Sequence, residues 1–218
     1  YPDPTNFLDY HFNNDANLQF GTIDPSVTEP LTTGATTLDT EVRAAAYAEA
    51  NTAIKDTVPM VPIVHGASAT AWLANVEGAH SSPLGNESMA HVTPADNQMV
   101  WMQNAEPIAL YCADETDGET LRLCEQVTEA LYSYEVGGTT PIPALAEECV
   151  GNEDATEFTC TLRQGVTFHN GAAFDAGDVV NSYAVQWDAA HPLHIGRTGS
   201  FEYWAGLFGA FLNPPPAE

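Results

Sequence analysis

Lysine and arginine are almost missing from this chain. Lys55 is the only lysine, and 5 basic residues stand against 30 acidic ones, a formal net charge of -25 over 218 residues. Such a surface repels phosphate backbones and anionic headgroups, which excludes nucleic-acid partners. The acids are spread along the chain, which fits solubility in a salty or acidic medium. No apolar run reaches the length of a membrane span. The opening "YPDPTNFLDY" is polar and carries proline, so no signal peptide is expected there. No CxxC, GxSxG, HExxH or glycine-rich phosphate loop occurs. No enzyme chemistry, cofactor or metal is therefore expected. His191 and His194 in "HPLHIG" read as loop histidines, and Asp114, Glu115, Asp117 and Glu119 match no calcium loop.

What is present supports a core: hydrophobic residues are 44% and aromatics 10%. The 4 cysteines form two local pairs, Cys112 with Cys124 and Cys149 with Cys160. The second pair brackets a polar turn, so a hairpin would set its members opposite each other. Each bridge closes a short loop and would stabilise by roughly 3 kcal/mol. Two bridges imply an oxidising place, at the cell surface, in the periplasm or outside. Asn86-Glu87-Ser88 is a glycosylation acceptor pattern short enough to arise by chance.

Helices are expected over residues 4–12, over 25–34 with Asp24 as cap, and from Asp39 or Thr40 to the stop at Pro59. Val42, Ala46, Ala50, Ala53 and Ile54 recur at helical spacing in the last of these. "MVPIVHG" (60–66) and "ATAWLANVEGA" (69–79) read as strands, rich in Val, Ile and Trp. Residues 78–97 read as a connector. Then "QMVWMQNAEPIALYC" (98–112) reads as a strand running into a loop. A helix over 116–135, capped by Thr116 or Asp117, follows, with Leu121, Cys124, Val127 and Leu131 as its stripe. "PIPALAEECV" and "TEFTCTLRQGVTFHN" read as a hairpin, and "DAGDVVNSYAVQWDAA" as a helix capped by Asp175. The tail 201–212 is aromatic and apolar, and the closing proline run looks like a true terminus.

The stretch from Pro143 to Tyr183 resembles the hallmark region of the family 5 extracellular solute-binding proteins, receptors of bacterial ABC importers. The resemblance rests on Pro143–Glu147, on Leu162 to Gly171 ("LRQGVTFHNG") and on Asp178–Val180. Residues 98–133, with Glu106-Pro107, resemble the start of the same family. The family usually has Asp-Pro where this chain has Tyr111-Cys112, and Trp where it has Cys149. Residues 1–92 resemble the family's other end, through "YPDPTNFL", "AAAYAEANTAI", "PMVPIVHG" and "NVEGAHSSPLG". The resemblance thus implies an α/β (mixed α+β) chain of type II periplasmic-binding-protein-like segments, incomplete or permuted. Its order is a C-terminal-lobe segment 1–92, a junction 93–97 and an N-terminal-lobe-like module 98–218. A C-terminal piece of a receptor ending in a second copy of its own beginning accounts for this order, as does a circular permutant.

The resemblance implies binding without catalysis. The expected partners are a peptide or similar small solute, the permease of an ABC transporter, and the remainder of the parent receptor or neighbouring copies. The implied setting is extracellular or at the cell surface, periplasmic or lipoprotein-like. Ligand contacts are implied at Tyr1 and Asn6, at Glu115, Thr116 and Asp117, and at Tyr203 and Trp204. Residue by residue, Thr116 or Asp117 also reads as an N-cap and Trp204 as core. A structural or interaction module that has lost ligand binding is the alternative. Two modules are expected, the second with a small core around Leu121, Val127, Leu131, Leu162 and Val179.

Overall fold

A computed structural model describes residues 2–14, 20–21, 24–67, 69–152 and 156–214. The chain divides into two units, Tyr1–Ala67 with Cys149–Thr159, and Ser68–Glu148 with Cys160–Glu218. This line differs from the expected junction at 93–97. Residues 69–93 pack with the second unit because Glu87 faces Arg122 and Gln126 bonds the backbone of Glu87 and Met89.

The first unit is built on helices. A π-helical turn, Thr5–Asp9, runs into α1 (Tyr10–Phe12), and α2 (Pro25–Ala35) and α3 (Thr40–Thr57) follow. Asp24 caps α2 by accepting from the Ser26 N–H, with Pro25 at the first helical position, where its missing donor costs nothing. Asp39 caps α3 through the N–H groups of Glu41 and Val42. Val58, left-handed at φ 49°, and then Pro59 end it. Leu31 and Ala50 are fully buried at the α2–α3 contact, with Val27, Tyr47 and Ile54 around them and Leu8 and Phe12 at the edge. Gly34 permits this approach, since a Cβ there would lie 2.7 Å from the Tyr47 ring.

Tyr47 donates to Asp9 Oδ2 at 3.1 Å, and the Arg43 guanidinium lies over its ring while pairing with Asp3 at 2.7 Å. Burial, reinforced by the Asp9 carboxylate, pushes the Tyr47 phenol up to about 12. An unfolded tyrosine ionises near 10. The unfolded state therefore loses its proton first, and the stability carried by this phenol is full below about pH 10 and fades as pH rises towards 12. Tyr47→Phe is expected to flatten that alkaline loss. Helix content followed against pH by circular dichroism checks it, and an unchanged alkaline limb would contradict it.

The strands expected over 60–66 and 69–79, and the one opening 98–112, do not form. A strand needs a neighbour for its backbone groups, and among the described residues only the bridge Glu77↔Thr93 supplies one. Val61, Ile63 and Val64 stay exposed, as do Val100 and Met102.

In the second unit, Asp117 caps α4 (Gly118–Val127), accepting from the N–H and the hydroxyl of Thr120. The helix stops at Val127 rather than running to 135. Thr128 turns extended, the carbonyls of Ala130 and Leu131 accept from residues 144–146, and β1 (Tyr132–Tyr134) pairs antiparallel with β2 (Pro141–Pro143). The Tyr-Ser-Tyr segment suits a pleated pairing better than a helix. The strands β3 (Ala146–Gly151) and β4 (Phe158–Leu162), of which residues 149–151 and 158–159 are counted with the first unit, form a second two-stranded sheet. After β4 come Gly165 at φ +77°, the bridge Thr167↔Ala173 and Gly171 at φ +85°, then α5 (Ala176–Trp187). Asp175 and Asp178 close a reciprocal capping box at its start. The short α6 (Glu202–Phe208) ends the regular structure.

The small core expected around Leu121, Val127, Leu131, Leu162 and Val179 is not there. Val127 is 60% exposed and the other four are only partly covered. Buried instead are Thr120, Cys124, Ala146, Phe201 and Trp204. The stripe of α4 finds no apolar layer to meet, so burial concentrates where loops are held by polar contacts.

Candidate functional site

Two loops of the second unit meet through charge. Cys112 and Cys124 are bridged with Cα atoms 6.0 Å apart, which ties the turn Cys112–Asp114 to α4. Cys149 and Cys160 are disulfide-bonded too, and no cysteine is free among the described residues. Just past the first bridge, the Asp114 carboxylate is buried. It accepts from the N–H groups of Thr198 (2.6 Å), Gly199 (2.9 Å) and Phe201 (2.8 Å) and from the Thr198 hydroxyl (2.7 Å). Burial pushes this carboxyl up, but the four donors outweigh it and hold it below the usual carboxylate range. Gly196 lies directly against it, where a Cβ would come within 2.2 Å of Asp114.

Glu115, its side chain fully buried, forms a two-pronged pair with Arg197, whose Nε and Nη2 each donate at 2.8 Å. The fork of a guanidinium matches a carboxylate in this way. Phe201 is completely buried with φ at +41°, a conformation that costs a side-chain-bearing residue roughly 1 kcal/mol or more. The Asp114 bond to its N–H and the stack of its ring on His194 at 3.9 Å hold it there.

Of the residues that the resemblance points to, Glu115, Thr116, Asp117, Tyr203 and Trp204 lie in this unit and Asn6 lies in the other; Tyr1 is outside the described residues. Arg197 and Phe201 link the 114–117 loop to the start of α6, where Tyr203 and Trp204 sit. Within the pair of loops, Glu115 is engaged by Arg197, Asp117 caps α4 and Thr116 is exposed. Trp204 is buried against Tyr183 and Phe208, and its indole N–H has no partner among the described residues. Asn6 is half-buried on the π-helical turn. His191 Nδ1 accepts from the Leu193 N–H, and His194 Nδ1 contacts the Val185 carbonyl, so the pair does not converge. No group of three or more metal-ligating side chains occurs among the described residues.

Reading the sequence missed Asp114, Arg197 and Thr198 as a set. A signal existed: with only 5 basic residues, an arginine inside "GRTGS" offers a guanidinium flanked by backbone donors, a loop shaped for carboxylates.

Residues 140–199 match the family model of the bacterial extracellular solute-binding proteins, family 5 Middle. That stretch holds the hairpin, the glycine turns and the capped α5, and over it the chain is similar to this family. The heme-binding protein A of Haemophilus influenzae is 28% identical over 148 residues, 65% of this chain and 27% of that protein. The dipeptide-binding protein of Escherichia coli is 37% identical over 83 residues, 35% of this chain and 16% of that one. The di/tripeptide-binding protein 2 of Pseudomonas aeruginosa is 39% identical over 80 residues, 34% and 15% respectively. All three are named as binding proteins rather than enzymes. The chain spans about a quarter or less of their lengths. No solved structure matches it significantly. Among the described residues no helix is long and apolar enough to cross a membrane.

Proposed function

We propose that this chain is part of an extracytoplasmic substrate-binding protein of an ABC importer, taking peptides or similar small solutes without chemical conversion. The observation that carries the reading is the family 5 segment at residues 140–199, together with relatives named for dipeptides and tripeptides. Its setting is the oxidising side of a membrane, with a permease as partner, and both disulfides suit that place. The proposed ligand contacts are Glu115, Thr116 and Asp117, with Tyr203 and Trp204, all within the second unit. Arg197 occupies Glu115 until a ligand's ammonium group takes its place. The junction at 93–97 is a seam of ancestry between the 1–92 and 98–218 segments.

Calorimetric titration with a panel of neutral di- and tripeptides tests the reading. Saturable binding of at least one peptide, weakened by Thr116→Val, is expected. No binding across the panel, with helix content intact, would overturn it.

One observation favours a second reading, an interaction module held in an assembly with the remainder of a receptor or neighbouring copies. Among the described residues, large apolar side chains such as Ile63, Val100 and Met102 stand exposed, surface of the kind another chain covers.

A further inference from the structure

An open groove of about 660 Å³ lies wholly within the second unit, beside α4. That volume suits a small molecule. Trp101, Met89, Met102 and Leu123 supply an apolar wall, and Arg122 the only basic group on it. Trp72 packs against Trp101 with ring centres 5.0 Å apart, which backs the wall with a second indole.

Arg122 is set apart from the other arginines by a longer ion pair, to Glu87 alone. Arg43 bonds Asp3 and the Gly34 carbonyl, Arg163 bonds the Ala144 carbonyl, and Arg197 is forked onto Glu115. The Arg122 side chain is only 19% exposed, yet its guanidinium donates no hydrogen bond to the described residues. Its Nε stands 3.4 Å from Glu87 Oε2 without bonding it, and its Cζ lies 6.0 Å from the centre of the Trp101 ring. Glu87 Oε1 is already taken by the Thr70 hydroxyl. The Trp101 Nε1–H is also buried, with no acceptor among the described residues. The Arg122 Nε is turned to the Glu87 carboxylate in a long ion pair, and the Trp101 N–H is a covered donor on this wall, which is costly to leave unmet.

We propose that this groove binds a small aromatic carboxylate, its ring laid against Trp101 and its carboxylate taken by the outer N–H groups of Arg122. A planar fork facing two oxygens is the geometry a guanidinium prefers. The chain's net charge of -25 opposes an anion at long range, but at physiological ionic strength that field fades within about 8 Å and the contact guanidinium dominates. Glu106, the acidic side chain on the lining, is exposed and free to turn to solvent. The site lies within one unit and stands independently of the peptide-receptor reading.

Calorimetric titration of the whole chain with N-acetyltryptophan, and with its amide as the uncharged twin, tests this. The acid is expected to bind saturably and the amide about tenfold more weakly or worse, as the loss of a charge-assisted hydrogen bond requires. Trp101→Phe keeps an aromatic face but removes the N–H and part of the stacking surface. It should weaken binding several-fold, and in the parent protein the Trp101 indole N–H resonance should shift on titration. The pair Arg122→Met with Glu87→Gln, which leaves no lone buried charge, should abolish binding while thermal unfolding shows a folded chain. Indole-3-acetate separates sources: binding equal to N-acetyltryptophan points to free aromatic acids, and weaker binding to the carboxyl end of a peptide. The proposal is overturned by an amide that binds as tightly as the acid, by no saturable heat from either, or by variants that bind unchanged.

Discussion

Asp114→Ala is expected to cost the second unit about 3 kcal/mol and to free the loop 196–201, because one carboxylate satisfies four donors there. The N–H of Phe201 is buried, so water cannot simply replace the lost acceptor. The same loop carries Arg197, so the grip on Glu115 should loosen in step. Amide hydrogen exchange at residues 198, 199 and 201 would read the effect locally, and thermal unfolding would read its size. A loss under about 1 kcal/mol with exchange unchanged would show that the loop is held by other contacts. The carboxyl also titrates in a defined direction. Its folded value lies below the ordinary one, so its contribution is full above about pH 4 and disappears as pH falls through the folded value. Asp114→Asn should remove that part of the acid transition.

In the first unit the largest effect is expected from Leu31→Ala. Leu31 is fully buried between Val27, Tyr47, Ala50 and Ile54, in a core too small to absorb a void. Loss of about 3 kcal/mol follows from the missing methyl groups plus the cavity they leave. Leu8→Ala, at the edge of the same cluster, should cost distinctly less. Urea unfolding followed by helix signal measures both, and equal losses at the two positions would mean that the centre of this core has been misplaced.

How far the fold was legible depended on whether an element is completed by its own residues. Asp24 with Pro25, Asp39 before α3, and Asp175 with Asp178 each close their helix start within three residues, and all three starts stand where their residues put them. Gly165 and Gly171 likewise sit at the two turns of the hallmark stretch, with positive φ. The bridge between Cys112 and Cys124 spans 12 residues, short enough to be read from spacing. By contrast, Leu121 and Val127 carry a helical stripe whose burial needs a second layer that no local pattern supplies.

The candidate site shows the same division. Asp117 as the cap of α4 was readable, since its acceptor and its donors are neighbours. The engagement of Glu115 by Arg197 was not, because the two are 82 residues apart and only the folded chain brings them together. The same holds for Arg122 with Glu87 and Trp101.

The sequence by itself determined where helices begin, where glycine turns fall, the Cys112–Cys124 bridge and the likeness of residues 140–199 to the family 5 solute-binding proteins. Each follows from covalent proximity, from short-range hydrogen bonds, or from a residue order dense enough to recognise. The tertiary structure alone decided which apolar segments are covered. Val61, Ile63, Val64, Val100 and Met102 have the composition of strands and remain exposed, because a strand exists only where another segment accepts its hydrogen bonds. It also decided that Asp114 and Glu115 are spent on Thr198, Phe201 and Arg197, since a buried charge persists only where the fold delivers its partner.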